Sequence, residues 1–140
     1  MPCVYLLAID PPYQGKHHYI GFSHQPHPEK RLREHQAGRG GKFTSRVIRA
    51  GCKLTLIMHW SAPSITEKFE RYLKERADTK YWCPHCKRNE RAVPTMHDYD
   101  PSLVEQYYTK LRMRQMQKAT LSDITADREF REQFGDGRWA

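Results

Sequence analysis

Val4-Tyr5-Leu6-Leu7-Ala8-Ile9, then Asp10-Pro11-Pro12, then His18-Tyr19-Ile20-Gly21-Phe22 is the stretch that decides the fold of this chain. The first run is short, apolar and carries β-branched residues, and two prolines close it, which reads as a buried strand followed by a turn. The second run reads as another strand. With Pro11, Pro12 and Gly15 between them, residues 10–17 read as a loop, so the two runs are predicted to form an antiparallel hairpin with an ornamented connection. A third strand is expected over Lys53–Trp60.

Working outward, Pro28 suits the first position of a helix, where its missing N–H costs nothing, and Glu29 suits the positive end of the helix dipole. That helix is predicted to run to about Ala37 and stop at Gly38, which sets Arg31 and His35 four residues apart on one face. Residues 39–42 form a glycine-rich basic loop, and Phe43–Ala50 reads as a short helix stopped by Gly51. Ser64-Ile65-Thr66-Glu67 matches a capping box, so the next helix is expected to begin at Ser64. Ile65, Phe69, Tyr72, Leu73 and Arg76 fall at helical spacing, a stripe with one polar member that packs on the sheet. At about 100° per residue, Glu70 borders that stripe and points along an edge of the core. The expected class is α/β (α+β), a three-stranded, mainly antiparallel sheet flanked by helices.

Past the stripe, residues 79–100 hold turn residues without periodicity and read as a connector. After Pro101, Leu103, Val104, Tyr107, Tyr108 and Leu111 mark an amphipathic helix, and a last helical stretch runs from about Ser122 to near Gly135. The predicted organisation is a domain over 1–78, the connector over 79–100 and a helical tail over 101–140, which can bind a protein partner.

The 140 residues suffice for one compact domain with an appendage. The first ten residues have neither a basic leader nor an apolar run long enough for export or a membrane span, so a cytoplasmic protein is expected. Cys3, Cys52, Cys83 and Cys86 are too few and too unevenly spaced for a disulfide framework. Cys83 and Cys86 have the spacing of half a structural Zn²⁺ site, which His97, with His85, Asp98 or Asp100, would complete. Of the net charge of +8, the segment from His27 to Lys53 supplies +6 through eight cations and two carboxylates. Lys30, Arg33, Arg39, Lys42, Arg46 and Arg49 in that segment are therefore candidates for contacts to a polyphosphate partner, since each neutralised phosphate releases counterions.

The order of the motifs resembles the GIY-YIG nuclease superfamily. Cys3-Val4-Tyr5 stands where the family has Gly-Ile-Tyr, and Tyr19-Ile20-Gly21 reproduces its second signature. Arg31 and His35 match the first helix of the family, and Phe69-Glu70-Arg71-Tyr72-Leu73-Lys74 matches the helix that bears its glutamate. Within the superfamily the chain is most similar to the structure-selective junction nucleases of the Slx type, through Val4-Tyr5-Leu6-Leu7, the spacing of Pro11, Tyr13 and Gly15, and Gly40-Gly41-Lys42-Phe43-Thr44-Ser45. Cys3 departs from the family glycine, and the family's later asparagine has only Asn89 as a loose counterpart. The resemblance implies a DNA endonuclease in which Glu70 binds Mg²⁺ or Mn²⁺ and Arg31 clamps the scissile phosphate. It implies too that Tyr5 and Tyr19 position and deprotonate water and that His35 is hydrogen-bonded to a tyrosine hydroxyl, without saying which phenol is the base.

Two other classes stay open at this point. One is a DNA-binding or targeting module that keeps the fold without catalysis, which would need the cations but not a glutamate beside them. The other is a zinc-dependent protein-interaction adaptor working through residues 83–86 and the tail. Singly, Tyr5 and Tyr19 would pass for strand aromatics, Arg31 and His35 for exposed helix residues, and Glu70 for the partner of Lys74 in an i,i+4 pair. Five such residues in family order favour the nuclease.

Overall fold

A computed structural model describes the chain through residue 134 and its side chains through residue 121, so the predicted stop near Gly135 lies outside the described residues. Strand β1 (Cys3–Tyr13) is the central strand of a three-stranded antiparallel sheet, between β2 (Lys16–Ser23) and β3 (Lys53–Ser61). The residues from Cys3 to Ile9 are all buried because both faces of the central strand are covered, which is why they read as an unbroken apolar run. On one face Cys3, Tyr5, Leu7 and Ile9 pack with Val47, Cys52 and Leu54, beside Leu32, Phe43 and Ile48. The Trp60 ring meets Phe69 at 5.8 Å and Trp82 at 6.0 Å.

The expected loop over residues 10–17 is corrected by the structure. β1 continues through Pro11 and Pro12 to Tyr13, which pairs with Lys16, leaving Gln14 and Gly15 as a two-residue turn. Both have positive φ, 49° and 77°, as a hairpin turn matched to strand twist requires. The prolines are accommodated because the pairing with β2 is irregular between Ala8 and Tyr13, where ladder N–H groups are not demanded.

Helices α1 (Glu29–Gln36) and α2 (Lys42–Arg49) pack against each other and against β3. Helix α3 (Glu67–Arg76) begins later than expected: Thr66, not Ser64, is its cap, and the Thr66 hydroxyl accepts the Lys68 N–H at 3.2 Å. Ile65, 2% exposed, is buried just ahead of the cap. Residues 79–100 hold more order than a connector without periodicity: helix α4 (Thr79–Trp82) and a 3₁₀ turn at Met96–Asp98. The segment is pinned by the buried Asp78, which accepts hydrogen bonds from Arg76 (2.9 Å), Trp82 (2.9 Å) and Arg91 (3.0 Å).

The chain divides after Val104 into two compact units. Helix α5 (Pro101–Phe134) is continuous where two helical stretches were expected, because residues 112–121 contain no glycine or proline to break it. Among the described residues no helix is long and apolar enough to cross a membrane.

Candidate active site

Strand pairing sets up the site. Tyr5 lies opposite Gly21 and Leu7 opposite Tyr19, so with side chains alternating at period two Tyr5 and Tyr19 share a face of the sheet. Their ring centroids are 6.4 Å apart. Gly21 is required there: a Cβ on it would stand 2.4 Å from Cζ of Tyr5. Helix α1 brings His35 onto the same face, 6.0 Å from the Tyr5 ring and 5.3 Å from the Tyr19 ring.

His35 is fully buried and bonded on both nitrogens. Nε2 lies 2.8 Å from the Tyr5 hydroxyl and Nδ1 lies 2.8 Å from Thr44 Oγ1. The Thr44 hydroxyl donates to the Gly41 carbonyl at 3.5 Å, so it is an acceptor towards Nδ1–H, which leaves Nε2 to accept the Tyr5 proton. Burial, and secondarily the Arg31 charge, lower the imidazole pKa from 6.5 to about 4, so His35 is neutral at physiological pH. Because the folded value is depressed, the stability it carries is complete above 6.5 and is lost as pH falls towards 4. At 1.36 kcal/mol per pH unit that loss is roughly 3 kcal/mol, and denaturation midpoints measured between pH 7 and 4 are expected to follow it. An NMR titration should place the His35 ring near 4.

Gly40 closes this pocket, since a Cβ there would stand 1.9 Å from Nδ1 of His35. Gly40→Ala is therefore expected to push the ring off Thr44 and to cost about 1–3 kcal/mol by overpacking, read as a lower thermal midpoint.

Arg31, on the same helix as His35, donates to Glu34 at 2.7 Å and to the Gly40 carbonyl. Glu70, half-buried on α3, accepts from Lys74 at 2.6 Å, and the Lys74 ammonium lies 5.9 Å from the centre of the Tyr19 ring. Electrostatics tie these groups together. Burial raises both phenols above their ordinary range; Glu70 raises each further and Arg31 opposes it. The five residues singled out in the sequence are thus brought within one neighbourhood.

The model of the GIY-YIG catalytic domain matches residues 1–82. The chain belongs to the GIY-YIG family. No curated protein and no solved structure matches it. The GIY-YIG family consists of endonucleases, which act on DNA and generally depend on a divalent metal, so a nuclease is the coarse functional reading.

On this GIY-YIG domain the candidate DNA-binding residues divide. Arg39, Lys42, Arg46 and Arg49 line one surface cleft of about 480 Å³. Lys30 and Arg33 are exposed on α1 and do not line it. A larger groove, about 800 Å³, holds Tyr19 and Phe43 together with Lys16, Lys74, Lys80 and Arg88. Those cations come from four separate segments, so no local run of sequence marks them.

Thr44 and Gly40 were missed as functional residues too; both lie in the Gly40–Ser45 motif, which was the signal available. Cys83 and Cys86 do meet a histidine, and here the expectation is corrected. It is His18 of β2, while His97 sits exposed in the 3₁₀ turn, outside that group.

Proposed function

We propose that this chain is a metal-dependent DNA endonuclease of the structure-selective, Slx-like kind, hydrolysing phosphodiester bonds in branched DNA. The observation that carries the proposal is the buried chain Tyr5–His35–Thr44, with both bonds at 2.8 Å, beside Tyr19, Arg31 and Glu70. A neutral histidine locked between two hydroxyls beside these groups favours catalysis over DNA binding alone.

The roles follow from exposure and bonding. Tyr5 is 1% exposed and tied to His35, so it positions; Tyr19 lines the groove and, once its own proton has left to solvent, is the phenolate that orients the attacking water and takes its proton. Arg31 spends two of its five N–H donors on Glu34 and Gly40, and offers others to the phosphoryl oxygens. Glu70 is the residue that would hold Mg²⁺ or Mn²⁺. It fits a hard cation that needs one carboxylate plus waters and phosphate, and the Lys74 ammonium at 2.6 Å already satisfies it with positive charge. When bound, such a cation polarises the phosphoryl group and eases departure of the 3′ oxygen.

Lys30, Arg33, Arg39, Lys42, Arg46 and Arg49 supply phosphate contacts, with the groove cations as a second set. Two basic clefts on one small unit suit a substrate with more than one helical arm, which agrees with the Slx-like motif at Gly40–Ser45. The test is cleavage of linear, flapped, forked and four-way DNA with Mg²⁺. Flapped, forked or four-way DNA should be cut faster than linear duplex, and Arg31→Ala should abolish the cutting; equal rates on all substrates would remove the branched preference, and undiminished cutting by Arg31→Ala would remove the site.

A further inference from the structure

The edge strand that carries Tyr19 is fastened at the next residue to a distant turn. His18 Nε2 lies 3.2 Å from Cys86 Sγ, although 68 residues separate them. With Cys83 Sγ these ligand atoms all lie within 4.8 Å of one another. In a zinc tetrahedron with bonds of about 2.0–2.3 Å, neighbouring ligand atoms stand roughly 3.5 Å apart, so the trio already has nearly the spacing that one ion imposes.

The turn itself is built to present two sulfurs. The Cys86 N–H donates to the Cys83 carbonyl at 3.2 Å, closing the loop between them. Lys87, immediately after, is held at a φ of +58°, a left-handed conformation that costs a non-glycine residue about 1–2 kcal/mol. Pro84, His85 and Lys87 are exposed, while Arg88 lies over the Tyr81 ring at 4.8 Å and pairs with Glu90 at 2.9 Å. Cys83 is wholly buried and His18 half-buried, so the three donors converge at the edge of the core rather than in open solvent.

We propose that His18, Cys83 and Cys86 bind one structural Zn²⁺, which clamps β2 to the turn after α4 and so fixes the strand that bears Tyr19. Two thiolates and an imidazole are soft and borderline ligands that select zinc over the hard cation suited to Glu70. His85 of the same turn, or a water, completes the tetrahedron. The proposal does not rest on the nuclease reading, because β2 and the turn are joined whether or not the domain cuts DNA.

Metal analysis of the full chain, purified without chelator, should give about one zinc per chain. X-ray absorption at the zinc edge should count two sulfurs. His18→Ala and Cys86→Ser should weaken zinc binding by more than the roughly 10–100-fold that loss of an outer-shell partner costs, while His97→Ala keeps the full stoichiometry. Should a variant fail to fold, the unaltered protein decides: a chelator should lower its melting temperature, and Co²⁺ in place of zinc should show a thiolate charge-transfer band. Zinc well below one per chain, a melting temperature indifferent to chelator, a Cys83–Cys86 disulfide in the purified protein, or undiminished binding by His18→Ala would each overturn the assignment.

Discussion

Glu70→Gln is expected to lower single-turnover DNA cleavage by about a thousandfold, the equivalent of roughly 4 kcal/mol of transition-state stabilisation. The substitution keeps the shape of the side chain and lets its carbonyl still accept from Lys74, which donates to Glu70 at 2.6 Å. What it removes is the charge, and with it the carboxylate a divalent cation needs. Folding should barely respond, because an exposed or half-exposed i,i+4 pair contributes only about 0.3–0.5 kcal/mol. DNA binding should hold or strengthen, since one negative charge is lost beside the groove. Cleavage measured with a gel-shift titration separates these effects: a parallel fall in binding and cutting would mean that Glu70 serves the fold or the interface instead of the chemistry.

Tyr19→Phe should cost about 10²–10⁴-fold in rate, the usual contribution of a positioned proton acceptor, with little change in stability. Tyr5→Phe should show the reverse emphasis. Its hydroxyl is the 2.8 Å partner of His35 Nε2 in a buried setting, and removing it strands that nitrogen at about 1–3 kcal/mol of stability. Its loss of rate should be the smaller of the two, because Tyr5 is 1% exposed and does not line the groove. Comparing cleavage rates and thermal midpoints of the two variants decides between them. Equal rate losses would assign the base jointly, and a larger loss for Tyr5→Phe would reverse the roles.

What the sequence made legible were the local features. The apolar run Val4–Ile9 announced a buried strand, Pro28 announced the start of α1, and Tyr5, Tyr19, Arg31, His35 and Glu70 stood out as a set. Features that depend on distant parts of the chain were not legible. Pro11 and Pro12 read as the end of a strand, because the sequence does not show that pairing with β2 becomes irregular there. The choice of Thr66 over Ser64 as cap was not legible, since both residues are competent caps. His18 could not be matched to Cys86 from a spacing of 68 residues, so the nearer His97 took its place. Gly40 read as one glycine of a basic loop; only the packed His35 ring shows why a side chain does not fit there.

The measurement that bears most directly on the account is one turnover of branched DNA with Mg²⁺ in water enriched in oxygen-18, followed by mass analysis of the products and of the protein. A water lined up by Tyr19 against a phosphate gripped by Arg31 predicts a single heavy oxygen on the new 5′-phosphate and an unmodified protein. A tyrosine joined to DNA, a product without heavy oxygen, or intact strands would contradict it.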